Sequence, residues 1–468
     1  MSNNNGWRNI SGDFYDWTIT KEPEKPYIHD YSKTLCLKLF CSIPDNKGNS
    51  IVACNFQQAL DIIEKIDNLT REIDKIVYLV GWQFQGHDDK YPSWSQVNED
   101  LKRTEDKTAE DSLKWLMEEA LKYHTTVSLH INMTDAYKDS PLWDTYVQKD
   151  LISKEENGSL LKIGTWNHKD SYQVCYKNEW ESGYATKRID DLINMLPIRK
   201  AGTIHIDAFF ARESKGHDIT ISEEQSYRRK IIRYWRSRGI DVTSEFIYRE
   251  NEIDDLIGLV PMVWHINQNL EDYLKRPANL LTGGRINRDL TEYDEKLAIL
   301  FGESMHGEGL LINNDDLTKI KSGWQVKFLE VFCLDTLPWY FLNNCNRIYV
   351  EGVKPNRIAY YDKNICVYEQ DRIITINDKP IKVNGDVFIE VLWKDTKEII
   401  AYSKEGYKNR KWDMPDSFEN VESVTICRIT DNGLVNIKNN VQLIDNTIIL
   451  SLEKNEGIII EPYDAGKS

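Results

Sequence analysis

No run of uninterrupted apolar residues in the chain approaches the roughly 18 that a membrane-spanning helix needs, so no membrane partner is expected. The first residues, MSNNNGWRNISGDFYDW, have neither a basic leader segment nor an apolar core, and no signal peptide is read there. Positive charge is in deficit: 59 Lys and Arg face 75 Asp and Glu, a formal net charge of −16. Nucleic-acid binding relies on a basic surface that releases counterions, so the balance argues against a phosphate-backbone ligand. A neutral sugar is not disfavoured. The eight cysteines, Cys36, Cys41, Cys54, Cys175, Cys333, Cys345, Cys366 and Cys427, include no CxxC pair, and most lie in apolar runs such as LCLKLFC and VFCLD. Cysteines in such runs behave as small buried hydrophobes. Reduced thiols in a cytoplasmic compartment are therefore expected. Internal repeats and low-complexity tracts are also missing.

What is present is a folded chain of 468 residues, 41% hydrophobic and 29% charged, long enough for a barrel and an accessory domain. Aromatics are plentiful, with 14 Trp and 24 Tyr. Part of them belongs in cores; the rest suits stacking on the apolar faces of pyranose rings. Residues 1–50 form an N-terminal extension with one strand, from Thr34 to Ile43. From residue 51 to 345 the pattern alternates. A helix over 56–72 precedes the apolar run IVYLVGW, then helix DSLKWLMEEALKYH and strand TTVSLHIN. An insertion around 138–170 precedes the short strand SYQVCY, helix RIDDLINMLPI and strand AGTIHIDAFF. Helix EEQSYRRKIIRYWRSRG, closed by Gly239, strands DVTSEFIY and IGLVPMVWHIN, and helix DEKLAILFGESMHG follow. Strands alternating with helices of this length imply parallel βαβ units, and their number fits a (β/α)8 barrel better than an open sheet. Over 346–468 short strands such as RIYVEGV, RIITIND and VQLIDNTIILSL, separated by Asn, Asp, Gly and Lys turns, read as a C-terminal all-β sandwich.

A barrel of this kind carries its active site at the carboxyl ends of the strands. Those ends deliver His87 and Asp88; His130, Asn132 and Asp135; His205 and Asp207; Glu245; and Trp264, His265 and Asn267. With His306 in the FGESMHGEG loop, five of the nine histidines fall at such positions. A lone Asp after a strand is more often a loop or helix cap, and a lone His more often a satisfied hydrogen-bonder. Many such groups at one barrel face converge on one cavity. Asp207 and Glu245 each sit among apolar neighbours at strand ends one βα unit apart. Burying either without a partner costs several kcal/mol. Adjacent strand ends can hold carboxyls about 5–5.5 Å apart, the spacing of a retaining glycoside hydrolase; an inverting one needs roughly 6.5–9.5 Å. A Glu in aromatic company has its pKa raised, which suits a proton donor; Glu250 and Glu213, in more polar surroundings, are competitors for that role. Trp82, Trp94, Trp264 and Tyr137 are candidate stacking walls, each equally readable as core.

These same residues carry a family resemblance. GWQFQGHDDKYPSW resembles the Gly-His-Asp segment near the first strand of the endo-α-N-acetylgalactosaminidase catalytic domain. VSLHINMTDAY resembles that family's His-x-Asn segment, HIDAFF and DVTSEF its nucleophile and acid/base strands, and FGESMHGEG a late barrel loop. KWDMPDSFENVESVTICRIT is similar to a segment of its β domain. The chain thus resembles glycoside hydrolase family 101 and its relative family 129. The resemblance implies a retaining enzyme acting on α-linked N-acetylgalactosamine, with Asp207 as nucleophile and Glu245 as acid/base. It also implies that His87, Asp88, His130 and Asn132 line the sugar pocket. His205, Trp264, His265 and Trp82 complete the expected substrate-binding set. The compact form is similar to the exo-acting intracellular branch, which trims single sugars from glycopeptide. No cofactor is expected, and no residue here answers to the family's calcium sites. Three alternatives stand: a retaining enzyme for another α-linked sugar, a metal-dependent barrel hydrolase using His130, Asn132, His205, Asp207 and His265, and a noncatalytic sugar-binding protein that kept the barrel, against which the carboxylates at both strand ends argue. The second lacks the His-x-His pair on one strand usual in such barrels.

Overall fold

The computed structural model describes residues 13–45, 47–246, 256–265, 270–283, 300, 316 and 319–464. Seven strands form one all-parallel sheet: β1 (Leu35–Phe40), β2 (Lys75–Val80), β3 (Thr125–Asn132), β4 (Thr203–Asp207), β5 (Asp241–Phe246), β6 (Met262–His265) and β7 (Thr282–Gly283). They lie side by side in chain order, with helices between the earlier strands. This singly wound order makes the sheet curl around one concave face, and Lys38 of β1 reaches Glu245 of β5 across it, 3.8 Å away. Among the described residues the sheet is a curled half-barrel, not the closed eight-stranded barrel expected. The helix read in DEKLAILFGESMHG and the loop with His306 lie outside the described residues apart from Leu300.

The strand expected at 34–43 is β1, paired in parallel with β2 from Leu35 against Lys75 to Phe40 against Val80. The sheet therefore starts before residue 51, inside the segment read as an extension. Leu35, Leu37 and Leu39 pack outward into the main core, whereas Cys36 joins a concave-side cluster with Tyr31, Ile76, Tyr78 and Met262. That period of two is the strand pleat. Tyr31 and Tyr78 both bond the Thr203 hydroxyl at 2.7 Å across the lower interior.

Helix α1 (Phe56–Leu69) starts at a capping box in which Asn55 and Gln58 satisfy each other's backbone N–H groups. Its Ala59, Leu60, Ile63 and Ile66 recur at helical spacing and are buried. Helices α2 (Ala109–Glu119) and α3 (Tyr184–Met195) cover further strands. Helix α4 (Ile221–Ser237) opens at a second capping box, Thr220 with Glu223, and the chain leaves it at Gly239 with φ +78°.

The C-terminal region is antiparallel. Ten strands from Arg347 to Pro462 make one sheet, faced by a ribbon of Tyr407–Asp413 and Thr447–Leu452. Phe388 and Trp412 stack between them, ring centroids 5.2 Å apart, with Met414, Phe418 and Ile448 around them. The run VQLIDNTIILSL, read as one strand, is two: Gly433–Gln442 ends before Asp445 and Asn446, both in left-handed backbone, and Thr447–Leu452 follows. The largely polar strands Lys379–Val383 and Tyr407–Asp413 escaped the sequence reading. The two regions are tied together at Arg71, which makes two bonds to the Glu398 carboxylate (3.0 and 3.2 Å) and accepts from Trp393 Nε1 at 2.7 Å.

Candidate active site

Register assembles the site. In the β4–β5 pair Thr203 lies beside Asp241 and Ile206 beside Ser244, a constant offset of 38 residues. Carried one residue on, that register sets Asp207 beside Glu245. In the β3–β4 pair His130 lies beside His205, and Asn132 beside Asp207. By the alternation of the pleat, His130, Asn132, His205, Asp207 and Glu245 share one face, the concave one.

Asp207 is enclosed, and its carboxyl is held well above the ordinary carboxylate range. Burial contributes most, then the charge of Glu245, a hydrogen bond shared with Glu245, and the charge of Asp88; Lys38 opposes the rise. Two carboxyls this close cannot both ionise freely. His130 Nε2 stands 3.7 Å from Asp207 Oδ1. Burial, with Lys38, His205 and His87 nearby, drives its pKa well below the usual value, so the ring is neutral near pH 7. Glu245 is fixed at both oxygens: Ala208 N–H donates to Oε2 at 3.2 Å, and Lys38 Nζ lies 3.8 Å from Oε1. The Lys38 ammonium also sits 4.3 Å from the centre of the Trp264 ring.

The loop after β2 brings His87 and Asp88 over the strand ends. Gly81 (φ +76°) and Gly86 (φ +131°) let it pass against the chain after β1; a Cβ on Gly81 would fall 2.0 Å from the Ser42 carbonyl. His87 N–H donates to that same carbonyl at 2.9 Å. The His87 ring lies 5.4 Å from that of His130, and its Nε2 is 3.4 Å from Asp88 Oδ2. An arm from the 138–170 insertion leans on this loop. It is a three-stranded sheet of Asp135–Tyr137, Lys162–Trp166 and Lys169–Gln173. At its hairpin tip Asn167 donates to the His87 carbonyl at 2.9 Å, and Trp166 is left 47% exposed. Lys169 anchors the arm to Asp89 and Asp139.

Of the expected residues, Asp207, Glu245, His87, Asp88, His130 and Trp264 line this one end of the sheet. Others serve differently. Trp82 is fully buried in the main core and donates its indole N–H to the His130 carbonyl at 3.0 Å, so it offers no face to a sugar. Trp94 and Tyr137 are also buried, Trp94 beneath the Arg188 guanidinium and Tyr137 stacked on Tyr91. The Asn132 amide is spent on its own turn, accepting from Thr134 and Asp135 N–H and donating to Asp135. His205 is fully buried below His130, its Nδ1 2.9 Å from the Thr243 hydroxyl. Asp135 is engaged with Asn132 and Ser171, and burial beside Asp88 pushes its pKa up to about 6. Glu213 pairs with Lys215 at 3.3 Å on the surface. Asn267, Glu250, His306 and the His265 side chain lie outside the described residues. Lys38 and Trp166 were missed; a lone Lys inside an otherwise apolar strand was the available signal for the first.

The sequence comparison decides the family. Residues 33–255 match the family model Glyco_hydro_101, endo-alpha-N-acetylgalactosaminidase. This stretch is a glycoside hydrolase family 101-like domain. It spans β1 to β5 and holds both carboxyls, but ends short of the late loop and β-region segments that also carry the resemblance. Solved structures of an alpha-N-acetylgalactosaminidase, NagBb from Bifidobacterium bifidum, share the fold. The Gal-NHAc-DNJ complex superposes with a TM-score of 0.56 at 11% identity over 74% of this chain and 58% of that one. The ligand-free form gives 0.55 at 12% identity, over the same shares. The chain thus spans 58% of the length of that enzyme. A search of curated protein sequences finds no match.

Among the described residues one group has the make-up of a metal site: His87, Asp88 and Asp207 offer ligand atoms all within 4.8 Å of one another. One His and two carboxylates suit zinc or iron. The same three groups are equally a set of acceptors for sugar hydroxyls.

Proposed function

We propose that this chain is a retaining glycoside hydrolase that releases α-linked N-acetylgalactosamine from mucin-type O-glycan or glycopeptide. In this reading the seven-stranded sheet is the larger part of a (β/α)8 barrel. The observation that carries it is the Asp207–Glu245 pair on adjacent strands of the family 101-like domain, close enough to share a hydrogen bond. That closeness favours the retaining spacing of about 5–5.5 Å over the wider inverting one. NagBb, an alpha-N-acetylgalactosaminidase of the same fold, supports the choice of sugar. The arm pinned over His87 walls one side of the pocket, which favours exo over endo action. Eight free cysteines are in keeping with a cytoplasmic setting.

Asp207 attacks the anomeric carbon as Glu245 protonates the leaving oxygen, giving a glycosyl-enzyme; Glu245 then takes a proton from water, which releases the sugar with its α configuration. Neutral His130 orients the Asp207 carboxylate from 3.7 Å without cancelling its charge. His87 and Asp88 hold sugar hydroxyls, and Trp264 supplies an apolar wall.

The test is hydrolysis of p-nitrophenyl α-GalNAc beside the matching Galβ1-3GalNAc substrate, followed by NMR of the first anomer formed. Release from the monosaccharide with α product is expected. Release from the disaccharide alone would make the enzyme endo-acting, and β product first would remove the retaining assignment. The metal-dependent alternative keeps one observation on its side, the His87, Asp88 and Asp207 group. Full activity after exhaustive chelation, with no metal found by mass spectrometry, would dispose of it.

A further inference from the structure

Lys38 has no part in the two-carboxyl reaction above, yet it stands beside it. It is a charged residue, 5% exposed, in a strand whose other members are Leu, Cys and Phe. An ammonium shut away from water costs several kcal/mol unless it is well paired. Its side chain crosses the concave face from β1 to reach two strands on the far side, Glu245 on β5 and the Trp264 ring on β6. Asp207 on β4 and His130 on β3 feel its charge as well. The Trp264 face holds the ammonium by its quadrupole. One oxygen of Glu245 is tethered by Ala208 N–H, and Lys38 Nζ lies 3.8 Å from the other.

We propose that Lys38 is a positioning residue for Glu245, aiming its carboxyl at the leaving oxygen and stabilising the carboxylate that remains once the proton is given away. In that step the C1–O bond breaks with its electrons on the leaving oxygen, which takes the Glu245 proton. A carboxylate oxygen of Asp207 bonds to C1. Glu245 becomes an anion beside Lys38, whose own protons stay where they are. The inference rests on the assignment of Glu245 as the acid. The benefit grows with the leaving group's need for a proton: large for a serine or threonine alkoxide, small for a dinitrophenolate, which departs as a stable anion.

The experiment measures kcat/KM of the full chain on serine-linked α-GalNAc and on 2,4-dinitrophenyl α-GalNAc, for wild type, Lys38→Met, Lys38→Arg and Glu245→Gln. Lys38→Met is expected to lose about tenfold or more on the serine-linked substrate relative to its loss on the dinitrophenyl one, within the span of general acid catalysis. Lys38→Arg should recover most of that difference. Equal losses on both substrates would assign Lys38 a structural role and overturn the proposal, as would no loss on either. Dinitrophenyl turnover by Lys38→Met also reports that the variant folds. If Glu245→Gln shows no such split itself, the acid assignment fails first, and that outcome is separable from a failure confined to Lys38.

Discussion

In the C-terminal antiparallel region Glu369 is almost wholly buried, and Arg357 holds both its oxygens, at 2.6 and 2.9 Å. Glu398 is buried too, and held by two bonds from Arg71. At the carboxyl end of the parallel sheet Asp207 is mostly but less completely shut in, with 14% of its side chain exposed, and it sits beside another carboxyl. The histidine nearest to it is kept neutral, and Lys38 is engaged with Glu245. Glu369 and Glu398 each meet a bidentate guanidinium, which gives geometry and hydrogen bonds at once. The sheet end leaves its carboxyls in conflict. Perturbed groups of this kind cluster at functional sites, and the conflict is sustained by stability gained elsewhere in the fold.

The largest expected break in this contrast is chemical. Asp207→Asn or Glu245→Gln should lower kcat/KM on serine-linked α-GalNAc by roughly 10⁴-fold, while the thermal midpoint of Asp207→Asn holds or rises. The sign follows from linkage: a carboxyl whose folded pKa is raised stabilises the fold at low pH and loses that contribution as pH climbs through the raised value. Above it the buried charge is a cost that Asn removes. A clear fall in the midpoint of Asp207→Asn would show that the pair is matched after all.

Glu369→Gln should do the reverse. Leaving Arg357 half-buried without its partner costs about 3 kcal/mol, measurable by urea unfolding, with kcat/KM intact. Lost activity without lost stability there would erase the distinction between the regions. A third effect is on pH. Activity should fall as pH drops through a limb lying above the ordinary carboxylate range, because Asp207 must be ionised to attack. In Glu245→Gln, assayed with the dinitrophenyl substrate, the limb should move down by about one pH unit, worth ~1.4 kcal/mol. A limb that stays in place would exclude Glu245 as its cause. The smallest effect is expected at Trp166→Ala. Loss of one exposed stacking face at the arm tip should raise KM for a glycopeptide up to about tenfold, from ~0.5–1.5 kcal/mol of aromatic contact. An unchanged KM would place the arm outside the binding surface.

The alternation of apolar runs with helical repeats made the parallel strands legible, because strands buried on both faces are written as unbroken apolar residues. AGTIHIDAFF and TTVSLHIN each showed a strand and the polar groups at its end, since His, Asn and Asp stand out in an otherwise apolar run. Trp82 was misread from the same rule. A large ring at a strand end belongs to the core or to the pocket according to how the residue before it turns the chain, and Gly81, with φ +76°, turns Trp82 inward. Asn132 was misjudged because its partners, Thr134 and Asp135, compete locally for its amide. Strands such as Tyr407–Asp413 stayed hidden because half their face meets water, so composition carried no apolar pattern.

By itself the sequence determined the parallel βαβ order, the change to antiparallel strands after residue 346, the strand-end carboxyls Asp207 and Glu245, and the family 101-like character of the stretch that holds them. These are local matters, settled by periodicity and by residues read in short segments. Only the tertiary structure decided that Lys38, more than two hundred residues away along the chain, meets Glu245, that Asn167 pins an arm across His87, and that Trp82 is core. Those depend on how far the sheet curls and which strand faces which across it, and the pattern of any one strand is silent on both.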